Sequence, residues 1–161
     1  MNKMASHDYE FETHWRVRGS IEEVSEILGA PLDLATWWPQ VYLSVREEEP
    51  GVFALYTKGW LPYRLHWKFH TVESRSPHGF TLHAWGDLEG VGVWTFRQDG
   101  GWADIRYRWT VRASKPLLRY LSFVMQPMFA ANHRWAMARG EESLVRELGR
   151  RRMMLVDTLI P

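Results

Sequence analysis

The stretch "YRLHWKFHTVESR", Tyr63 to Arg75, decides the fold. Within it Tyr63, Leu65, Trp67 and Phe69 alternate with Arg64, His66, Lys68 and His70. Successive side chains of a strand point to opposite sides, so a period of two marks a β-strand with one dry face and one wet face. The alternation also removes one reading of His66 and His70. On a helix that spacing would join two metal ligands. On a strand rising roughly 3.3 Å per residue the rings share the wet face about 13 Å apart, whereas each nitrogen on a zinc ion comes within about 2 Å of it. The informative face is the apolar one, and the question is what Trp67 looks at.

Upstream, "YEFETHWRVR" (Tyr9 to Arg18) alternates in the same way, with Tyr9, Phe11, Thr13, Trp15 and Val17 on one side. It predicts the first strand. "GSIEEVSEILG" then offers Ser20 as N-cap, Glu23 to complete a capping box, an apolar stripe of Ile21, Val24, Ile27 and Leu28, and Gly29 as a stop. These make a short amphipathic helix. Pro31 and Asp33 open a second short helix, which Pro39 ends after Trp37 and Trp38. From Val41 the punctuation is that of hairpins, with turn signals at Pro50-Gly51, Gly59 to Pro62, Pro77 to Gly79, Gly86 to Gly90 and Asp99 to Gly101. Six strands fit between them, at roughly 41–48, 52–58, 63–74, 79–86, 91–98 and 102–113.

Only one long helical pattern follows, from about Ser114 to about Leu148, with Leu117, Leu118, Leu121, Val124, Met125, Met128, Phe129, Ala136, Leu144, Val145 and Leu148 near helical period. Pro127 lies inside it and predicts a kink or break near Val124 to Gln126. "GRRRMM", Gly149 to Met154, offsets the negative end of that helix, and the tail to Pro161 offers a surface for a homodimer.

The 161 residues suit a single domain, 1–161, with a core over about 8–148 and an extension over 149–161. The net charge of +1 gives no field for nucleic acid or an anionic surface. With no cysteine there are no disulfides, iron–sulfur ligands or thiol nucleophiles, which fits a reducing cytoplasm. The start "MNKMASHDYEFE" lacks an apolar run of signal-peptide length, and no segment reaches a membrane span. Ten tryptophans, seven phenylalanines and six tyrosines give either a bulky filled core or a cavity walled by rings.

Three places carry a resemblance: "ATWWPQV" (Ala35 to Val41), "GDLEGVGVWTF" (Gly86 to Phe96) and "NHRWAMARGEESL" (Asn132 to Leu144). With the order of elements, they resemble the START-like superfamily, also called SRPBCC or Bet v 1-like, and within it bacterial polyketide cyclase/dehydrase-type proteins. The resemblance implies an α+β helix-grip fold: a curved antiparallel sheet of about seven strands around a long C-terminal helix, with two short helices after the first strand. It also implies a deep cavity between sheet and helix, used in the superfamily for lipids, sterols, polyketides and aromatic compounds, with or without catalysis.

On that frame Phe11, Trp15, Leu65, Trp67, Phe69, Tyr107 and Trp109 would line the cavity from the sheet, or fill it as core. Met125, Met128 and Phe129 would face them from the helix. Asn132 and Arg139, polar groups on the same stripe, would either orient a ligand oxygen or tie the helix to strand carbonyls. His133, about 100° round the helix, reads as exposed or structurally bonded, and Trp37 and Trp38 read as packing the helix pair against the sheet, the alternative being a gate at the cavity mouth. His14, His66 and His70 fall on the wet face, and Asp87 and Glu89 in a solvated turn, which leaves no metal site and no convincing general base. The resulting expectation is a binder of a hydrophobic or aromatic small molecule, with no cofactor and no nucleic-acid or integral-membrane partner. The alternatives are a cyclase or dehydratase acting on a poly-β-keto substrate, and a protein-interaction module of the START-like co-chaperone type.

Overall fold

The computed structural model describes residues 8–113 and 116–160, with side chains over 9–112 and 126–160. Strand β1 (Asp8–Arg18) leads into helix α1 (Ile21–Leu28), a 3-10 turn (Pro31–Asp33) and the four-residue helix α2 (Leu34–Trp37). Strands β2 (Tyr42–Glu49), β3 (Val52–Lys58), β4 (Arg64–Ser74), β5 (Gly79–Gly86), β6 (Leu88–Asp99) and β7 (Trp102–Ala113) follow. Helix α3 runs from Pro116 to Leu159. All seven strands form one curved sheet in the order β1-β7-β6-β5-β4-β3-β2, every pair antiparallel.

The alternation read from the sequence is what holds this sheet to α3. Trp15, Val17, Ile105 and Trp109 are buried on the inner face, while Arg16, Arg106 and Arg108 stay outside. On the outer face Asp104, only 6% exposed, lies 2.8 Å from His14 and within 4 Å of Arg16, Arg97 and Arg106. The capping box forms as expected: the Glu23 N–H donates to Ser20 Oγ at 3.1 Å, and the Ser20 N–H donates to Glu23 Oε2 at 2.9 Å.

Three boundaries differ from expectation. The turn expected over Gly86 to Gly90 shrinks to Asp87, because the Asp87 carboxylate accepts the His66 N–H at 2.9 Å and staples the hairpin back onto β4. Gly90 lies inside β6, where a Cβ would come within 2.1 Å of the Thr110 carbonyl oxygen: it permits close strand approach instead of turning the chain. Helix α3 is unbroken at Pro127, since one lost hydrogen bond does not end a 44-residue ladder. It also continues past Leu148. Arg150 and Arg151 pair with Glu147 one turn back, and Arg152 reaches Glu23 of α1 at 3.1 Å.

Candidate functional site

Between α3 and the β1, β7 and β4 end of the sheet lies a cavity of about 160 Å³. Strand alternation delivers Tyr9 and Phe11 from β1, Tyr107, Trp109 and Val111 from β7, and Leu65 and Trp67 from β4. Helix α3 supplies Phe129, Asn132, His133, Ala136 and Met137, which is the i, i+3, i+4, i+7, i+8 stripe of a helix face. Val41, Tyr42, Thr57 and Tyr63 close the remaining sides.

Of the residues expected to line it, Phe11, Leu65, Trp67, Tyr107, Trp109, Phe129 and Asn132 come together here. Others do not. Trp15 packs in the core against Trp38 and Trp94, at ring-centroid distances of 5.7 and 5.4 Å. Phe69 lies beyond Trp67, stacked on Phe53 at 5.5 Å, and borders a second hollow of about 50 Å³. Met128 is 40% exposed, and the Arg139 guanidinium donates to Glu142 at 2.8 Å. The Met125 side chain lies outside the described residues.

Two geometric facts explain these displacements. The inward stripe of α3 is centred on 129, 133 and 136 and not on 125, 128 and 132, so Met128 turns to the edge and His133 turns in. Arg139 keeps the rotational phase of Asn132 but stands two turns, about 10 Å, farther along the axis, beyond the end of the cavity. His133 was the missed residue. Its ring stacks on Phe11 at 4.5 Å, with Nε2 3.4 Å from Thr13 Oγ1. Thr13 on the dry face of β1 was the signal available in the sequence: a polar side chain facing inward needs a partner.

The site is preorganised by a few hydrogen bonds. The Trp67 indole N–H donates to the buried Thr57 hydroxyl at 3.0 Å, fixing the ring that packs on Trp109 at 5.9 Å. Asn132 Oδ1 accepts the Leu61 N–H at 3.0 Å and so ties α3 to the loop between β3 and β4. Of the two roles open to Asn132, that oxygen serves the structural one. Gly59 makes the tie fit, since a Cβ there would lie 2.3 Å from the Asn132 amide. Trp38 packs on Tyr42 at 5.0 Å and against Gly140.

Burial favours the neutral form of four side chains of the site, His133, Tyr42, Tyr63 and Tyr107. Burial, then the charge of Arg134, pushes His133 down to about 4, so its imidazole is unprotonated at neutral pH. Burial, then Tyr9, pushes the Tyr63 phenol up to about 12. The Tyr42 phenol is raised by burial, and that of Tyr107 by burial and then by Tyr42. Among the described residues no three or more His, Cys, Asp or Glu side chains gather to hold a metal ion. On the outer face His66 stacks on Tyr56 at 4.4 Å, and His70 sits against His83 and Trp85.

No family model and no curated protein matches the chain by sequence. Solved structures match it by shape. A conserved protein from Geobacillus kaustophilus superposes with a TM-score of 0.72 at 12% identity, over 88% of this chain and 96% of that one. The Zhui aromatase/cyclase from Streptomyces sp. R1128 gives 0.68 at 16%, over 90% and 96%. A START superfamily protein from Mycobacterium smegmatis gives 0.68 at 10%, over 90% and 99%. The fold is therefore START-like, a helix grip of the SRPBCC kind. Among the described residues no helix is long and apolar enough to cross a membrane.

Proposed function

We propose that the protein binds a small, largely apolar aromatic molecule in the cavity between sheet and α3, without catalysing a reaction on it. One observation carries this reading: the half-open space of about 160 Å³ is walled largely by rings, and its lining is mostly apolar. An apolar cavity of about 150 Å³ accommodates a benzene ring, so the ligand is of one-ring or fused two-ring size. Structural neighbours named as aromatase/cyclases and a START superfamily protein support a role for the space. The same reading puts the protein in the cytoplasm, with the exposed Met153, Met154, Leu155, Val156, Leu159 and Ile160 at and just beyond the end of α3 as the surface for a second copy. Native mass spectrometry of freshly purified protein tests the proposal. A co-purified mass of one aromatic molecule per chain supports it, and apo protein that takes up no aromatic compound counts against it.

A second reading, a cyclase, draws on His133. Its imidazole faces the same cavity and is unprotonated at neutral pH. A base near 4 holds a proton too weakly for efficient enolisation near pH 7, which is why binding is the leading reading. Turnover of a poly-β-keto substrate that disappears in His133→Gln would reverse the order.

A further inference from the structure

Tyr42 and Tyr107 border both the main cavity and the smaller hollow beside it, so they stand at the junction of the two. Tyr107 is 8% exposed and Tyr42 half-buried. Neither hydroxyl has a hydrogen-bond partner among the described residues. Buried phenols nearly always have one. The two oxygens are not sealed into the core either, in contrast to the indole nitrogens of Trp37 and Trp38, and they open onto the cavity.

Their rings are fixed by neighbours. Trp94 stacks on Tyr107 at 4.1 Å and 18°, and Trp38 meets Tyr42 edge-on at 5.0 Å. Gly92, in the middle of β6, makes room for the phenol end: a Cβ there would come within 2.7 Å of the Tyr107 hydroxyl. Both phenols stay protonated at neutral pH, so each presents an O–H donor to the space. Lys58, the cation bordering the cavity, stands opposite Arg64 in the β3 and β4 register, on the phase of the outward-stacked Tyr56 and His66.

We propose that Tyr42 and Tyr107 together donate hydrogen bonds to one uncharged acceptor oxygen, which makes the ligand of this cavity an aromatic ketone and not a plain hydrocarbon. A carbonyl oxygen carries two lone pairs and accepts from both phenols at once. The inference rests on the reading of the cavity as a ligand site.

A matched pair of probes tests it: 1-tetralone and tetralin, which share a two-ring skeleton and differ in the carbonyl. Tryptophan fluorescence quenching measures Kd for each with wild type, Tyr107→Phe and Tyr42→Phe, after circular dichroism has checked each fold. The expected result is about tenfold tighter binding of the ketone by wild type, falling to about twofold in either variant with tetralin affinity unchanged. Equal binding of the two probes by wild type, or a ketone preference surviving both substitutions, overturns the two-phenol assignment and leaves the cavity reading intact. Failure of wild type to bind either probe overturns the cavity reading and this one with it. If both variants misfold, the ketone-to-hydrocarbon ratio of wild type decides.

Discussion

The two ends of the grip use the same strands and the same helix, yet one is filled and the other hollow. At the filled end Trp15, Trp94 and Phe96 interleave with Val17, Ile27, Ile105 and Leu144, all buried. At the hollow end Tyr9, Phe11, Trp67, Trp109 and Phe129, with Val41, Leu65, Leu88 and Val111, surround a space that they do not fill. Flat rings are rigid and meet at fixed centroid distances, whereas aliphatic side chains fill the wedges that rings leave. Aromatic content alone therefore does not mark a cavity.

The contrast breaks most visibly under truncation. Phe96→Ala, at the filled end, is expected to cost about 3–5 kcal/mol in denaturant unfolding. Trp109→Ala, which widens an existing space, should cost less than about 3 kcal/mol; equal losses would mean that both ends are packed alike.

Acid should find the hollow end next. The folded pKa of His133, about 4, lies below its ordinary 6.5, so between these values the unfolded chain binds the extra proton. Stability then rises with pH across that window and falls on acidification, by up to about 3 kcal/mol from this group. His133→Gln should flatten the slope of unfolding free energy between pH 6.5 and 4; an unchanged slope would place the imidazole in solvent.

Gly140 tests how tight the boundary is. Exchanging a helical glycine for alanine ordinarily gains about 1 kcal/mol. Here the new Cβ would lie 2.3 Å from the Trp38 ring, so Gly140→Ala should lower stability by about 1–3 kcal/mol, read from thermal melts. The smallest expected effect is that of Asn132→Ala, about 1 kcal/mol from the lost Leu61 bond. Faster amide exchange of the loop between β3 and β4 is its specific sign.

The fold was legible because each level of the sequence agreed. The two-residue period of Tyr63 to Phe69 and of Ala103 to Val111 gave sheet faces, Ser20 and Glu23 gave the start of α1, and glycines with prolines gave the hairpins. Half of the cavity wall followed from strand parity alone. The helix half did not, because a stripe of mixed Met, Phe, Asn and His leaves its rotational centre open by about one residue, and that residue decides between Met128 and His133. Trp15 and Arg139 were misplaced for a related reason: periodicity assigns a face but not a height along it. Tyr42 and Tyr107 line the same spaces from β2 and β7, far apart in sequence and in the sheet order, and no local pattern announces it.

The most direct test of a space built for a ligand is to fill it from within. Ala136 lies on the cavity wall, so Ala136→Phe should occupy the void while leaving the filled end untouched. Titrated with naphthalene and followed by tryptophan quenching, wild type is expected to show one saturable site per chain, and Ala136→Phe, folded and no less stable, none. Absence of saturable binding in wild type, or equal binding by the filled variant, would contradict a ligand cavity between the sheet and α3.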